Sequence, residues 1–404
     1  MNQQFRNRFP ALRRIEQGKP LVFLDGPAGV QVPEEVIDAI SQYYRQCNAN
    51  THGSFLTTKE TDVMMADTRS KAAAFLGAPS ASCISFGQNM TSLCYSLSRA
   101  IGRSLQPGDE VLITQLDHEA NRGPWLCLRE KGIIVREVRL KPNGTLDYDD
   151  MEAKINERTR VLAMGYASNL TGTVNDLQLA RQLSYRYGTW LVVDAVHYAP
   201  HFSIDVQAIG CDFLLCSAYK FYGPHVGILY SRPGLLDRIQ PDRLRTTDQH
   251  APYSIETGTL NHAAIAGVNA AIDFIASLGK GDLLRAKLVS AMHQIREHER
   301  GLAKKMYREL STINGITIIG PDMEVNQRAP TISFTISQKT PLEVCQALAV
   351  DNIFAWDGHF YALRGIEILG LLEAGGVTRV GISAYTAEAE IDQFFKSIQK
   401  ISRT

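Results

Sequence analysis

The chain of 404 residues has no surplus of either charge: Lys and Arg number 42, Asp and Glu 42, and the formal net charge is zero. Without a basic excess there is no electrostatic case for nucleic acid. Without a single-sign run there is none for a charged tail or a membrane patch. No apolar stretch approaches the roughly 20 residues of a bilayer-spanning helix. The N-terminal "MNQQFRNRFPALRR" carries arginines but no apolar segment behind them, so a secretory signal is not expected. The seven cysteines are scattered and form no Cys-x-x-Cys pair. Neither a metal site nor a disulfide framework is therefore expected. Free cysteines inside apolar runs behave as small hydrophobes, which fits a reducing, cytoplasmic compartment. Repeats and low-complexity tracts are absent too.

What is there is an ordinary globular composition, 45% hydrophobic and 21% charged, long enough for two domains or one large one. Short apolar runs alternate with helical patterns: "SCISF", "PGDEVLIT", "IIVREVRL", "RVLAMGYAS", "TWLVVDAV", "FLLCSA" and "VGILY". Such alternation predicts a mostly parallel sheet covered on both faces, with ligands bound where the loops leave the strand ends. From about Ala263 the texture changes. Two long helical stretches lead into the strands "ITIIG", "TISFTIS", "IFAWD" and "TRVGIS" and a closing helix, "AEAEIDQFFKSIQKI". Residues 21–275 are read as a large cofactor-binding domain, and 276–404 with 1–20 as a small α/β domain.

The chemistry-bearing residues gather at predicted strand ends. Lys220, in "CSAYKFYGP", follows an apolar strand and precedes a turn. Asp194 ends "TWLVVD", where an unpaired buried carboxylate would be costly. A lysine and a carboxylate one crossover apart can grip opposite sides of one ring. Pyridoxal phosphate requires that pairing: a lysine to form a Schiff base and an acid to keep the ring nitrogen protonated. "SFGQNMTS" offers Gln88 and Asn89 at a glycine turn before a helix, a place where amides bind phosphate. Ser217 could add a phosphate contact. His118, past another strand end, suits stacking on the ring and proton exchange. Asn169 suits the ring hydroxyl. Taken singly each has a structural explanation; their coincidence on one sheet edge does not.

At these residues the chain resembles the cysteine desulfurase-like branch of the class V aminotransferase family, from "LDGPAG" to "TRVGISAYTAEAEID". The resemblance implies the pyridoxal-phosphate-dependent transferase fold of type I. That fold is α/β, with a large domain around a mostly parallel seven-stranded sheet and a smaller C-terminal domain. It implies pyridoxal 5'-phosphate as cofactor, Lys220 as its Schiff-base lysine and Asp194 as partner of the ring nitrogen. His118 becomes the stacking residue, Asn169 the ring-hydroxyl ligand, and Gln88, Asn89 and Ser217 the phosphate ligands. His197 stands where many members carry glutamine, and Tyr219 where many carry histidine. Thr259, in "ETGTLN", is expected to reach the phosphate of a partner subunit, which implies a homodimer with shared active sites. Arg379 is expected to hold the substrate carboxylate through its bidentate fork. Asn50 and His52, in "NANTHG", are expected on the substrate side.

One departure matters. In "WDGHFYALRG" Gly358, His359 and Ala362 follow the family loop, but Tyr361 takes the place of the cysteine that accepts sulfur. A phenol cannot form a persulfide. The expectation is an enzyme acting on an amino acid or amine, by C–S or β-elimination or by aminotransferase-type chemistry. The alternatives are a true desulfurase with another thiol acceptor and a non-catalytic cofactor-binding protein. Tyr361 would then serve as hydrogen-bond donor or apolar wall over the substrate, or else pack in the small-domain core.

Overall fold

The structure is a computed structural model and describes residues 1–403. Seven short runs build the main sheet: β1 (Ile84–Gly87), β2 (Glu110–Thr114), β3 (Ile134–Val138), β4 (Thr159–Gly165), β5 (Trp190–Asp194), β6 (Phe213–Ser217) and β7 (Gly227–Ser231). Their order is β1-β7-β6-β5-β4-β2-β3. The stretch from β6 to β3 is parallel, and β7 runs antiparallel to both β6 and β1. This is the expected mostly parallel, seven-stranded sheet.

Strand alternation divides these residues between two apolar layers. Leu112, Leu162, Met164, Leu191 and Val193 join the core on one face. Val111, Ile113, Val161, Ala163 and Val192 join the core on the other. A period of two in strands covered on both sides produces that division. At the open edge, β3 instead alternates exposed Ile134 and Arg136 with buried Val135.

The second sheet comprises β8 (Ile316–Ile319), β9 (Thr331–Ile336), β10 (Trp356–Gly358) and β11 (Val377–Gly381), all antiparallel, in the order β8-β9-β11-β10. Helices Pro341–Val350 and Glu388–Ile401 cover it, with Val344, Leu348, Ile391 and Phe394 against Ile332 and Phe334. "IFAWD" is two strands rather than one. Ile353–Phe354 pairs with Val22–Phe23, and only Trp356–Gly358 enters the sheet as β10. The N-terminal Phe9 packs on Phe274 and Tyr385, at ring separations of 5.5 and 5.2 Å.

Helix Leu284–Ser311 belongs to both halves. Leu288, Ala291, Met292 and Ile295 enter the core of the large sheet, while Ala303, Met306 and Leu310 enter that of the small one. Among the described residues no helix is long and apolar enough to cross a membrane.

Candidate active site

Because β1, β2, β4, β5 and β6 point the same way, their C-terminal ends share one edge of the sheet. Beyond β6 a single 3-10 turn, Ala218–Lys220, delivers Lys220 to that edge. The lysine is not the solvated loop residue that most such lysines are, being only 7% exposed. Its Nζ donates to the carbonyls of Pro27 and Ala28, the latter at 3.0 Å. Burial, helped by the charge of Arg379, pushes the amine down to about 7, against the pull of Asp194.

Asp194 ends β5 and is buried, with Oδ1 accepting from Val196 N at 2.9 Å. Burial lifts its carboxyl to about 7, Asp117 adds to the lift, and Lys220 opposes it. Asp117 was not anticipated, although it ends the same apolar run that led to His118. It ties strand ends together, accepting from Gly165 N and from Asn121 Nδ2, both at 2.9 Å. Burial raises it to about 6.

His118 Nδ1 accepts from Ala120 N at 3.0 Å, so the neutral ring carries its hydrogen on Nε2. Burial and the charges of Lys220 and Arg379 depress it to about 4. Asn169 Nδ2 donates to Phe360 O at 2.8 Å, and its own carbonyl accepts from Arg379 Nη1 at 2.9 Å. Arg379, buried on β11, lies 3.9 Å over the Phe360 ring and leaves Nε without a partner. Burial draws the guanidinium down to about 9. His197 Nε2 lies 2.9 Å from Thr331 Oγ1, and its Nδ1 is buried with no partner.

The helix Met90–Gly102 starts at this edge. Asn89 caps it by accepting from Ser92 N at 2.8 Å, and Met90 N donates to Ser217 Oγ at 3.2 Å. Gly227 of β7 permits the approach, since a Cβ there would stand 2.4 Å from the carbonyl carbon of Asn89. Gln88 is exposed beside the cap. Tyr219 stacks on His225 at 4.6 Å and lies 5.0 Å from Lys220 Nζ.

Tyr361 stands at the mouth of the site. Gly358, Phe360 and Tyr361 have φ of 111°, 51° and 59°, a run of left-handed backbone that folds this segment back. Tyr361 O accepts from Glu119 N at 2.7 Å, and its ring lies 5.3 Å from that of His118. At 67% exposed, it does not pack in the small-domain core.

Three residues stand apart. Asn50 and His52 are exposed ahead of helix Leu56–Leu76, with His52 N donating to Asp62 Oδ1 at 3.1 Å. Thr259 is exposed between Glu256 and helix His262–Ala276. Among the described residues, no hydrogen bond or ring contact joins Asn50, His52 or Thr259 to Lys220, Asp194 or His118. Sequence reasoning also missed Thr331, Phe360 and the carbonyls of Pro27 and Ala28, of which only "GPAG" left a visible trace.

Residues 22–394 match the family model described as Aminotransferase class-V. The probable cysteine desulfurase of Halalkalibacterium halodurans is 31% identical over 98% of this chain and 97% of its own. The cysteine desulfurase of Klebsiella pneumoniae is 32% identical over 99% and 98%. Among solved structures, the cysteine desulfurase CsdA of Escherichia coli, in S-sulfonic acid form, superposes with a TM-score of 0.87 at 27% identity, covering 99% of this chain and 98% of that one. The apo cysteine desulfurase of Thermococcus onnurineus shares the fold, with a TM-score of 0.89 at 23% identity over 100% and 98%. The chain therefore belongs to the class V aminotransferase family of pyridoxal-phosphate-dependent enzymes and is homologous to cysteine desulfurases.

Proposed function

We propose that this protein holds pyridoxal phosphate at Lys220 and acts on a small amino acid or amine, by elimination or amino-group chemistry rather than by passing sulfur to a loop cysteine. The residues fit the cofactor. Two buried polar atoms at this edge, His197 Nδ1 and Arg379 Nε, have no partner in the protein. Lys220 is buried and cationic below neutrality, yet only carbonyls accept from it. That amine is the observation that carries the reading: a lysine drawn down to about 7 is a nucleophile at physiological pH.

Asp194 would hold the ring nitrogen, Asn169 and His197 the ring oxygen, and His118 the ring face. Gln88, Asn89, Ser217 and the start of helix Met90–Gly102 would hold the phosphate, with Tyr219 beside them. Bound there, the cofactor supplies an electron sink for the substrate's α-carbon. Lys220 would take and return the proton at that carbon. Arg379 holds the substrate carboxylate, and its rigid ties to Asn169 and Phe360 orient it.

The absence of cysteine after Cys345 supports chemistry other than sulfur transfer to this loop. Cys345 itself is buried, and burial pushes its thiol up to about 12, far from a reactive thiolate. The test is incubation with a panel of amino acids, products identified by mass, alongside borohydride reduction and mapping of the labelled peptide. The label should sit on Lys220, and cysteine should give sulfide, pyruvate and ammonia or no reaction. Alanine with a protein-bound persulfide would establish a desulfurase instead, and a protein that takes up no cofactor would end the proposal.

A homodimer completes the reading. Ile37, Tyr44, Leu56 and Val63 are exposed on two helices that pack on helix His262–Ala276, and exposed Phe55 caps the second of them. The segments carrying Asn50, His52 and Thr259 adjoin these helices. Large apolar side chains left exposed in this number mark an association face, and a second copy there would bring these three residues to a neighbouring site.

A further inference from the structure

We infer that Thr331 sets the tautomer of His197, so that the ring presents an N–H donor on Nδ1 to the cofactor's ring oxygen. This rests on the reading that pyridoxal phosphate is held at Lys220. The direction follows from counting hydrogens. Thr331 Oγ1 has one hydrogen-bond contact, His197 Nε2 at 2.9 Å, and His197 Nδ1 has none. Thr331 is 0% exposed and His197 3%, so water does not readily serve either.

If Nε2 carried the hydrogen, the threonine hydroxyl hydrogen and the Nδ1 lone pair would both be stranded. With the hydroxyl donating to Nε2, only the Nδ1 hydrogen remains unmet. One unmet buried polar group costs less than two. A ring oxygen bearing negative charge is the acceptor that the remaining hydrogen lacks.

The argument needs a neutral imidazole, and its surroundings provide one. His201 faces it at a ring separation of 5.5 Å, with Lys220 beyond β6, Arg379 on β11 and His118 beyond β2. Burial and these four groups all oppose a second proton, holding His197 well below its ordinary range. A neutral ring has one hydrogen, so making Nε2 the acceptor makes Nδ1 the donor. Thr331 is held for the task. It opens β9 opposite Gly381, and its carbonyl accepts from Arg328 Nη2 at 3.1 Å. It is a positioning residue, acting through His197.

The test is a pH titration of the visible absorption of the substrate-free, cofactor-loaded protein, with variants at both positions. A donor on the ring oxygen weakens the hold of the adjacent Lys220–cofactor linkage on its proton. Thr331→Val should therefore move the transition up by roughly one pH unit. Thr331→Ser, which keeps the hydroxyl, should restore it. In a His197→Gln background, where an amide donates with no tautomer to choose, Thr331→Val should move nothing, since the effect runs through His197. A Thr331→Val protein that titrates like wild type, or a shift that persists beside His197→Gln, overturns the inference. Nitrogen-15 NMR of histidine-labelled protein without cofactor gives a separate reading, the His197 signal being assigned by its loss in His197→Gln. It should show the hydrogen on Nδ1, and finding it on Nε2 overturns the inference. If wild type takes up no cofactor, the reading of Lys220 fails, while the NMR still decides the tautomer.

Discussion

Lys220 and Asp194 are drawn toward neutrality from opposite sides by the same burial. Between 3.8 and about 7 the folded protein keeps a proton on Asp194 that the unfolded chain has lost, so stability falls as pH rises through that window. Between about 7 and 10.5 the unfolded chain keeps a proton on Lys220 that the folded protein has lost, so stability rises again. The contribution of this pair to the cofactor-free protein is thus lowest near pH 7. Thermal midpoints across pH should show the acid-side slope diminished in Asp194→Asn and the alkaline-side slope diminished in Lys220→Met; variants parallel to wild type would refute the assignment. The same amine should capture pyridoxal phosphate at a rate that climbs through about pH 7 and then levels. Tyr361, exposed over His118, belongs at this scale too. Tyr361→Phe should leave folding intact and, if the hydroxyl assists a leaving group, cut the elimination rate by roughly tenfold or more. Lys220, Asp194, His118 and Asn169 were legible because each follows or ends an apolar run, whereas Arg379 was legible only through the family resemblance. Asp117 was passed over because it neighbours His118 and only its partners, Gly165 and Asn121, reveal its role. Thr331 carries no sequence mark at all: its significance lies in a contact 134 residues away.

At the scale of elements, the start of helix Met90–Gly102 depends on a glycine in another strand. A methyl group at Gly227 would stand 2.4 Å from Asn89 C and 2.8 Å from Met90 N, both backbone atoms that cannot rotate aside. Gly227→Ala should therefore displace the helix start, cost about 1–3 kcal/mol as overpacking does, and weaken cofactor retention. Asn89→Ala leaves the backbone in place and removes the cap, about 1 kcal/mol, together with one proposed phosphate contact. Denaturant unfolding of the cofactor-free proteins measures both costs, and a Gly227→Ala protein as stable as wild type would contradict the account. The strands were readable from their apolar runs, and β3 from its alternation. Other elements were not. "HEANRGPWLCLREKG" looks like one helix but breaks into Glu119–Asn121, Gly123–Leu126 and Cys127–Lys131, since Gly123 and Pro124 interrupt it. Helix Leu56–Leu76 escaped notice because it buries Thr58, Thr61, Thr68 and Arg69 as well as apolar residues. Its inward face is therefore not an apolar stripe. Arg69 is matched by Glu256 at 2.6 Å, a partner that no local pattern discloses.

At the scale of the whole molecule, the exposed apolar helices predict self-association. Val63→Glu, on a residue 70% exposed, should yield monomers by sedimentation that lose cofactor readily on dilution, while a wild-type monomer with full cofactor would refute the dimer. The helix shared by the two cores has a mechanical consequence. With 28 residues at 1.5 Å each, it is a rod about 42 Å long, clamped at one end among Leu288 to Ile295 and at the other among Ala303 to Leu310. A swing of the small sheet over the site must load that rod in bending or torsion, because neither clamp is a free joint. Gly301 lies just ahead of the second clamp, in the free span between the two, and a Cβ there would meet nothing within 4 Å. Gly301→Ala should gain about 1 kcal/mol of helix stability and raise the melting temperature, yet stiffen the rod. If opening limits turnover, the same substitution should slow it, and the compliance of one helix becomes the brake on the catalytic cycle.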